Sequence, residues 1–181
     1  MKYLITLPWM PYPATDGGKQ GSFNMLMELQ NMIDITLIYP VFFKKQMACQ
    51  YLLEKQLPKV KVYPFEYYKN KDGIKSQYSL FRLHRIITRK FLKQPYLATP
   101  IYKDAYIDFV NEIIKKERID IVQNEYFEQL YMVYAIPNTV KKVFIQHEIQ
   151  YIAKERLIQQ REYPSSVRYL ATMQRIQEIN A

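Results

Sequence analysis

Short apolar runs alternate with amphipathic stretches along most of this chain. Five apolar runs predict strands, at residues 2–8, 34–40, 59–65, 120–125 and 141–148. In the first stretch between them, Met25, Leu29 and Met32 recur at helical spacing and are expected on one helix face. The predicted helices cover residues 19–33, 43–56, 79–93, 102–119, 126–135 and 149–179. Strands that alternate with helices indicate a parallel sheet with helices on both faces.

The predicted fold class is therefore α/β, a Rossmann-like doubly wound parallel sheet. Right-handed crossovers favour the strand order 3-2-1-4-5. An α+β arrangement with an antiparallel edge strand is the alternative that the pattern leaves open. The length of 181 residues fits a single domain, 1–181, with a sizeable core.

The stretch between the first strand and the first helix, PYPATDGGKQGSFN at residues 11–24, holds three of the four glycines in the chain. In doubly wound folds ligands bind beyond the carboxyl ends of the strands, next to the first strand. Gly17 and Gly18 can take positive φ and let a ligand approach the backbone. The first N–H groups of the helix, near Lys19, would offer an anion site. The turn therefore predicts a phosphate or sugar site.

Structural alternatives to that site stay open. The glycine pair would then only shape a tight turn, Lys19 would be solvated, and Asp16 would cap the helix. Neither G-x-G-x-x-G nor G-x-x-x-x-G-K-[ST] is present, so dinucleotide binding and P-loop chemistry are not supported.

The net charge of +9 favours an anionic partner, such as a membrane surface, a phosphorylated ligand or nucleic acid. Residues 59–103 hold eleven Lys and Arg against two acids. Within them, a basic face lies opposite an apolar one and predicts an amphipathic helix at an anionic membrane. The alternative is a helix whose basic face is only solvated. No nucleic-acid motif accompanies the cluster, so nucleic acid is not expected. The predicted membrane-binding residues are Arg82, Arg85, Arg89 and Lys93.

Several other classes of chemistry lack their sequence signals. The single cysteine, Cys49, excludes an internal disulfide and a cysteine-based zinc site. His84 and His147 lie far apart, no metalloprotease or nucleophile-elbow motif occurs, and neither a metal nor a cofactor is expected. No stretch approaches the ~20 apolar residues of a membrane span. We expect a cytoplasmic protein with a peripheral contact at the inner membrane face.

Three stretches together resemble family 4 glycosyltransferases of the GT-B fold. The first is the opening strand with PYPATDGGKQGSFNMLMELQ, where a proline-rich loop and a Gly-Gly pair precede a helix. The second is DIVQNEYFEQLYMV at 120–133, and the third is KKVFIQHEIQYIAKER at 141–156. The resemblance covers residues 1 to about 160.

This resemblance implies the N-terminal, acceptor-side domain of a retaining glycosyltransferase that needs no metal. Its donor would be a nucleotide-sugar, used as a co-substrate, and its acceptor a glycan or lipid-linked intermediate of cell-surface polysaccharide synthesis. The donor-binding C-terminal domain, with its E-x7-E motif, would be the partner and is absent from this chain.

The resemblance also implies residue roles. His147 would be catalytic and contact the transferred sugar or its leaving phosphate, and the alternative is a polar loop histidine. Glu125 would bind acceptor hydroxyls, and the alternative is an acid stabilised by the dipole at a helix N-terminus. Gly17, Gly18, Lys19 and Gln129 complete the predicted substrate-binding residues. We expect Gly17, Gly18, Glu125 and His147 to meet at one end of the sheet. The alternatives are a non-catalytic module that docks on anionic membrane through residues 78–93, and a nucleic-acid-binding accessory domain.

Overall fold

The computed structural model describes residues 1–70 and 103–147, together with the isolated helical positions 152 and 156. Five strands form one all-parallel sheet in the order β3-β2-β1-β4-β5, which confirms the predicted class and strand order. The strands are β1 (Lys2–Thr6), β2 (Asp34–Val41), β3 (Lys61–Glu66), β4 (Ile121–Glu125) and β5 (Lys141–Ile145). The described helices are α1 (Gly17–Leu29), α2 (Met47–Gln56), α3 (Lys103–Glu117) and α4 (Leu130–Ala135). Short 3-10 helices occupy Lys44–Gln46, Tyr67–Asn70 and Phe127–Gln129.

Each face of the sheet carries its own apolar core, because successive strand side chains point to opposite faces. On one face, Ile5 and Leu37 of the strands pack in one cluster with Leu26 of α1 and Leu53 of α2. On the other face, strand residues including Leu4 and Val122 cluster with side chains of α3 and α4. Helices therefore cover both faces, as a doubly wound sheet requires.

Helix α1 differs from its prediction in bounds and in buried face. It runs from Gly17 to Leu29, and its buried residues are Ser22 and Leu26. We predicted that Met25, Leu29 and Met32 share one helix face, and this prediction is wrong for Met32. Met32 lies beyond the end of the helix and is 76% exposed, because the turn after Leu29 breaks the helical spacing.

Some predictions fall outside the described residues. The predicted helix at 79–93, with Arg82, Arg85, Arg89 and Lys93, is among them, and so is most of the predicted helix at 149–179. Within the residues that are described, no helix has the length and apolar character that crossing a membrane requires.

Parallel pairing brings distant segments to one end of the sheet. Thr6 of β1 pairs in register with Asn124 of β4, and Glu125 pairs with Ile145 of β5. The chain that leaves β1 toward α1 therefore lies near the residues that follow β4 and β5. We call this the carboxyl end of the sheet, since all strands finish there.

Candidate functional site

Three of the predicted site residues meet at the carboxyl end of the sheet. The His147 ring nitrogen Nε2 contacts the carboxylate of Glu125, and both residues are linked to Gly18 through Tyr126. Gly17 is exposed at the start of α1, beside Gly18. Since β4 and β5 are neighbours, Glu125 at the end of one strand faces His147 just after the other.

The Glu125 carboxylate is fully buried, so it needs partners within the protein. One oxygen accepts from the Gln123 amide, and the other contacts His147 Nε2. Gln123 is held in turn by the Tyr3 hydroxyl, at 2.6 Å from its side-chain oxygen. The His147 side chain is 37% exposed. Glu125 takes up Nε2, and Nδ1 has no hydrogen bond to the described residues, so Nδ1 is the ring nitrogen with hydrogen-bonding capacity left.

Tyr126 joins the parts of the site, although it was not among the predicted site residues. Its backbone has φ 68° and ψ 154°, a conformation that is essentially restricted to glycine. Its hydroxyl donates to the Gly18 carbonyl at 2.8 Å and lies 3.1 Å from Ser22 Oγ. Its ring stacks on the His147 imidazole, with centroids 4.2 Å apart, and contacts Trp9 at 4.6 Å. No sequence signal marks an aromatic residue for positive φ.

Gly17 and Gly18 do not use the positive φ that glycine permits, because none of the described glycines has it. Both belong to the first turn of α1 and have helical backbone. Gly18 is needed for space instead. A Cβ there would lie 3.3 Å from the Tyr126 hydroxyl and 3.6 Å from Trp9 Cζ2. At Gly17 a Cβ would meet nothing within 4 Å.

The first turn of α1 is capped by its own chain. Asp16 Oδ1 accepts from the Lys19 backbone N–H at 2.9 Å, which confirms the predicted cap. The Lys19 ammonium lies 3.2 Å from Asp16 Oδ2 and 3.2 Å from Thr15 Oγ1. The carboxylate of Asp16 therefore occupies the position predicted for an external anion, and the Lys19 ammonium is paired with Asp16 rather than free.

Gln129 sits deeper than a substrate-binding role requires. It is fully buried in the 3-10 helix after β4. Neither end of its amide finds a hydrogen-bond partner in the described part of the chain, and the same holds for Asn124 Nδ2 and Trp9 Nε1. Buried unpaired polar groups are costly, and they mark positions where a polar ligand or water can bind. In this structure Gln129 is not open to solvent.

Three carboxylates of the described residues act on the Tyr126 hydroxyl, although the chain as a whole carries +9. The pKa of Tyr126 is raised, first by burial and then by the negative charges of Glu125, Asp16 and Glu128, while the Ser22 hydrogen bond opposes the shift. The pKa of Asp16 is lowered, chiefly by its bond from the Lys19 backbone N–H. Across the described residues, no three His, Cys, Asp or Glu side chains gather as metal ligands.

The arrangement can bind and orient hydroxyl groups. A neutral imidazole that donates from Nε2 to Glu125 carries its lone pair on Nδ1, which can accept from a ligand hydroxyl. A protonated imidazole would instead donate from Nδ1. The buried carboxylate and the stacked Tyr126 ring hold the imidazole in one orientation.

Comparisons of the chain with family models, curated proteins and solved structures gave no match. The resemblance to family 4 glycosyltransferases, and with it the predicted roles of Gly17, Gly18, Lys19, Glu125, Gln129 and His147, stays a prediction.

Proposed function

We propose that this chain forms the acceptor side of a glycosyl-transfer site. The observation that carries the proposal is the Glu125–His147 pair, in which a buried carboxylate holds a partly exposed imidazole. The pair lies at the carboxyl end of a parallel sheet beside β1, where doubly wound folds bind their ligands.

In this proposal His147 contacts a sugar hydroxyl through Nδ1. Glu125 fixes the imidazole tautomer, and Tyr126 fixes the plane of the ring. Gly18 leaves room for the Tyr126 hydroxyl at the start of α1. The acceptor is a glycan or a lipid-linked intermediate, and the donor is a nucleotide-sugar bound mainly by a second domain outside these residues.

The resemblance of three sequence stretches to family 4 glycosyltransferases supports this proposal independently of the geometry. Two of those stretches contribute Glu125 and His147, and the third contributes Gly18. Glycosyl transfer needs donor and acceptor held together, and orientation alone can lower a barrier by ~7–11 kcal/mol. We therefore expect the 181-residue chain alone to transfer no sugar.

The test is a radiolabelled transfer assay, with calorimetry, on a panel of nucleotide-sugars. It compares the 181-residue chain with a protein that also carries the donor-binding domain. Transfer only by the longer protein supports the proposal. Turnover by the chain alone refutes the two-domain division, and no turnover by either refutes the enzyme assignment.

A membrane-docking module is the second candidate, and one surface of the structure favours it. Phe43, Tyr51 and Leu52 are 56%, 70% and 44% exposed. Tyr51 and Leu52 lie with Lys55 on one face of α2, since positions three and four apart are neighbours on a helix. Lys44 and Lys45 are exposed beside Phe43. Exposed apolar side chains among lysines suit the surface of an anionic membrane.

Vesicle binding tests the second candidate. Under the docking proposal, the chain binds anionic vesicles, and binding weakens steeply with salt because exposed charges are screened within ~8 Å at physiological ionic strength. Reversing the charges of Arg82, Arg85, Arg89 and Lys93 tests the predicted basic helix, and reversing Lys44, Lys45 and Lys55 tests the α2 surface. Unchanged vesicle binding in both variants refutes membrane docking through either.

A further inference from the structure

A row of three hydrogen bonds runs along one face of the sheet from Tyr3 to His147. The Tyr3 hydroxyl lies 2.6 Å from Gln123 Oε1. Gln123 Nε2 donates to one carboxylate oxygen of Glu125, and the other oxygen contacts His147 Nε2. We call these four residues the Tyr3–His147 network. Gln123 pairs in register with Ile5 of the apolar cluster on this face, so the network crosses an otherwise hydrophobic surface.

The two middle members of the network are buried, so their polar atoms depend on one another. Gln123 is 5% exposed, and Glu125 is fully buried. Each end of the Gln123 amide has a partner within the network, and so does each carboxylate oxygen of Glu125. A buried polar group that loses a partner is costly, because no water replaces the lost bond. The loss of one bond in the network is therefore expected to affect the next.

Only one order of protons fits these contacts. An amide oxygen can only accept, so Tyr3 donates to Gln123 Oε1 and the Gln123 NH₂ group is left to face the carboxylate. A carboxylate has no proton to give, so His147 donates from Nε2. The pKa of Tyr3 is raised, first by burial and then by the negative charge of Glu125, so the hydroxyl keeps its proton at neutral pH.

We propose that Tyr3 and Gln123 are positioning residues for His147, and that Tyr3 acts on the imidazole only through Gln123. Tyr3 orients the Gln123 amide, and the amide holds the Glu125 carboxylate. The carboxylate in turn keeps the proton of the imidazole on Nε2. The Tyr3 hydroxyl has no other hydrogen-bond partner among the described residues. This role rests on the proposed function only for the use that a ligand makes of His147.

NMR spectroscopy of the ¹⁵N-labelled chain tests the network without any ligand. The readout is the Nε2–H proton of His147, because a proton bonded to a carboxylate resonates at low field and exchanges slowly with water. His147→Gln identifies this signal, since His84 is the only other histidine. The main variant is Tyr3→Phe, which keeps the ring against the apolar cluster and removes the hydroxyl. The matched control is Tyr63→Phe, because that hydroxyl also lies 2.6 Å from a side-chain oxygen but bonds outside the network.

A double variant tests whether Tyr3 acts through Gln123. Gln123→Met keeps a side chain of similar length and removes both ends of the amide. Two residues that act in one series give non-additive effects, so Tyr3→Phe should change nothing further once Gln123 is methionine. If Gln123→Met fails to fold, Gln123→Asn replaces it, because the asparagine amide is one methylene shorter and does not span from Tyr3 to Glu125.

The parent chain should show the low-field signal of His147. Tyr3→Phe should speed the exchange of this proton with water about two- to tenfold, the factor that one hydrogen bond contributes. Gln123→Met should speed it at least as much. The double variant should match Gln123→Met, and Tyr63→Phe should match the parent.

An unchanged signal in Tyr3→Phe overturns the proposal, and so does the absence of a low-field signal in the parent. An equal change in Tyr63→Phe also overturns it, because a general loss of stability would then explain the effect. A double variant that exchanges faster than Gln123→Met overturns the route through Gln123. Sugar transfer enters none of these measurements. The proposed function can therefore fail in its transfer assay while the network stands, and the network can fail while transfer persists.

Discussion

Two clusters of glutamate and tyrosine lie at opposite ends of the sheet. The carboxyl-end cluster consists of Glu125, Tyr126 and His147. The amino-end cluster consists of Lys61, Tyr63 and Glu117, at the start of β3 and the end of α3. Both hold a carboxylate between two partners, yet they differ in backbone strain and in the hydrogen-bonding capacity left for a ligand.

The amino-end cluster is satisfied within itself. Glu117 accepts from Lys61 at 2.8 Å and from the Tyr63 hydroxyl at 2.6 Å, one bond to each carboxylate oxygen. The Lys116 ammonium lies 5.0 Å from the centroid of the Tyr63 ring, and Lys2 donates to the Glu117 carbonyl. The hydrogen bonds from Lys61 and Tyr63 lower the pKa of Glu117, and the bond to Glu117 raises the pKa of Lys61. Such a cluster fastens α3 to β1 and β3.

The carboxyl-end cluster differs from the amino-end cluster in backbone strain and in unused hydrogen-bonding capacity. Tyr126 has positive φ, whereas Tyr63 lies within a regular strand. A residue in such a backbone conformation costs about 1–3 kcal/mol, so its contacts must hold it there. His147 keeps one ring nitrogen for a ligand. Glutamate and tyrosine thus stabilise the fold at the amino end of the sheet and, in our proposal, help bind a ligand at the carboxyl end.

The largest expected effect is a loss of glycosyl transfer on substitution in the carboxyl-end cluster but not in the amino-end cluster. His147→Ala should lower glycosyl transfer about 100-fold or more, because it removes a positioned proton acceptor. The fold should persist, but the free energy of unfolding should fall by about 1–3 kcal/mol, because the buried Glu125 carboxylate loses one of its two partners. Transfer assays and thermal unfolding on the protein with its donor-binding domain measure both quantities. Glu117→Gln is the matched change and should affect stability but not transfer. A fully active His147→Ala would remove that residue from the site.

Removing one hydroxyl from each cluster is the next test. Tyr126→Phe should lower the free energy of unfolding by about 1–3 kcal/mol, because two hydrogen bonds at the start of α1 are lost. It should also shift the NMR signals of the His147 ring. Tyr63→Phe should cost about 0.5–1.5 kcal/mol, since Lys61 still pairs with Glu117. Urea unfolding measures the difference, and equal costs with an unmoved His147 signal would contradict the distinction.

Glycine-to-alanine substitutions in α1 test whether Gly18 is needed because a Cβ there would crowd Tyr126. Gly21→Ala should stabilise the protein by about 0.5–1 kcal/mol, because alanine favours the helix and its Cβ would meet nothing within 4 Å. Gly18→Ala should destabilise it by about 1 kcal/mol, because the Tyr126 hydroxyl at 3.3 Å is held by two bonds. Urea unfolding measures the free energy of unfolding of both variants. A Gly18→Ala variant more stable than the parent would contradict the prediction and show that Tyr126 moves freely.

The smallest expected effect is a pH dependence from the amino-end cluster. The folded-state pKa of Glu117 lies below its ordinary value of 4.5, so the folded protein binds fewer protons than the unfolded chain. The stability contributed by Glu117 is therefore present above pH 4.5 and is lost as pH falls through the lowered pKa. Glu117→Gln should flatten this part of the stability profile, whereas Glu112→Gln, an exposed change on the same helix, should not. Identical profiles for both variants would contradict the assignment.

Much of the fold followed from local pattern, but less of the site did. The period of the apolar residues predicted all five strands to within a few residues, and the chirality of crossovers predicted their order. Placing Glu125 and His147 after neighbouring strands then predicted their meeting. The reason for Gly18, the strain at Tyr126 and the pairing of Lys19 were not predicted. Each of these depends on a long-range contact or a backbone angle, and the periodic pattern of apolar residues gives no information about either.

The sequence by itself determined the sheet, its order and the end at which strand-following residues gather, because side-chain periodicity and chain handedness act locally. Only the tertiary structure decided what those residues do to one another. The Tyr126 hydroxyl meets the Gly18 carbonyl across 108 positions of sequence. That contact forms because β1 and β4 are adjacent, and it places an aromatic ring in a backbone conformation that its own propensity disfavours. Burial of Glu125 beside His147 likewise follows from the pairing of β4 with β5, which no property of either residue specifies.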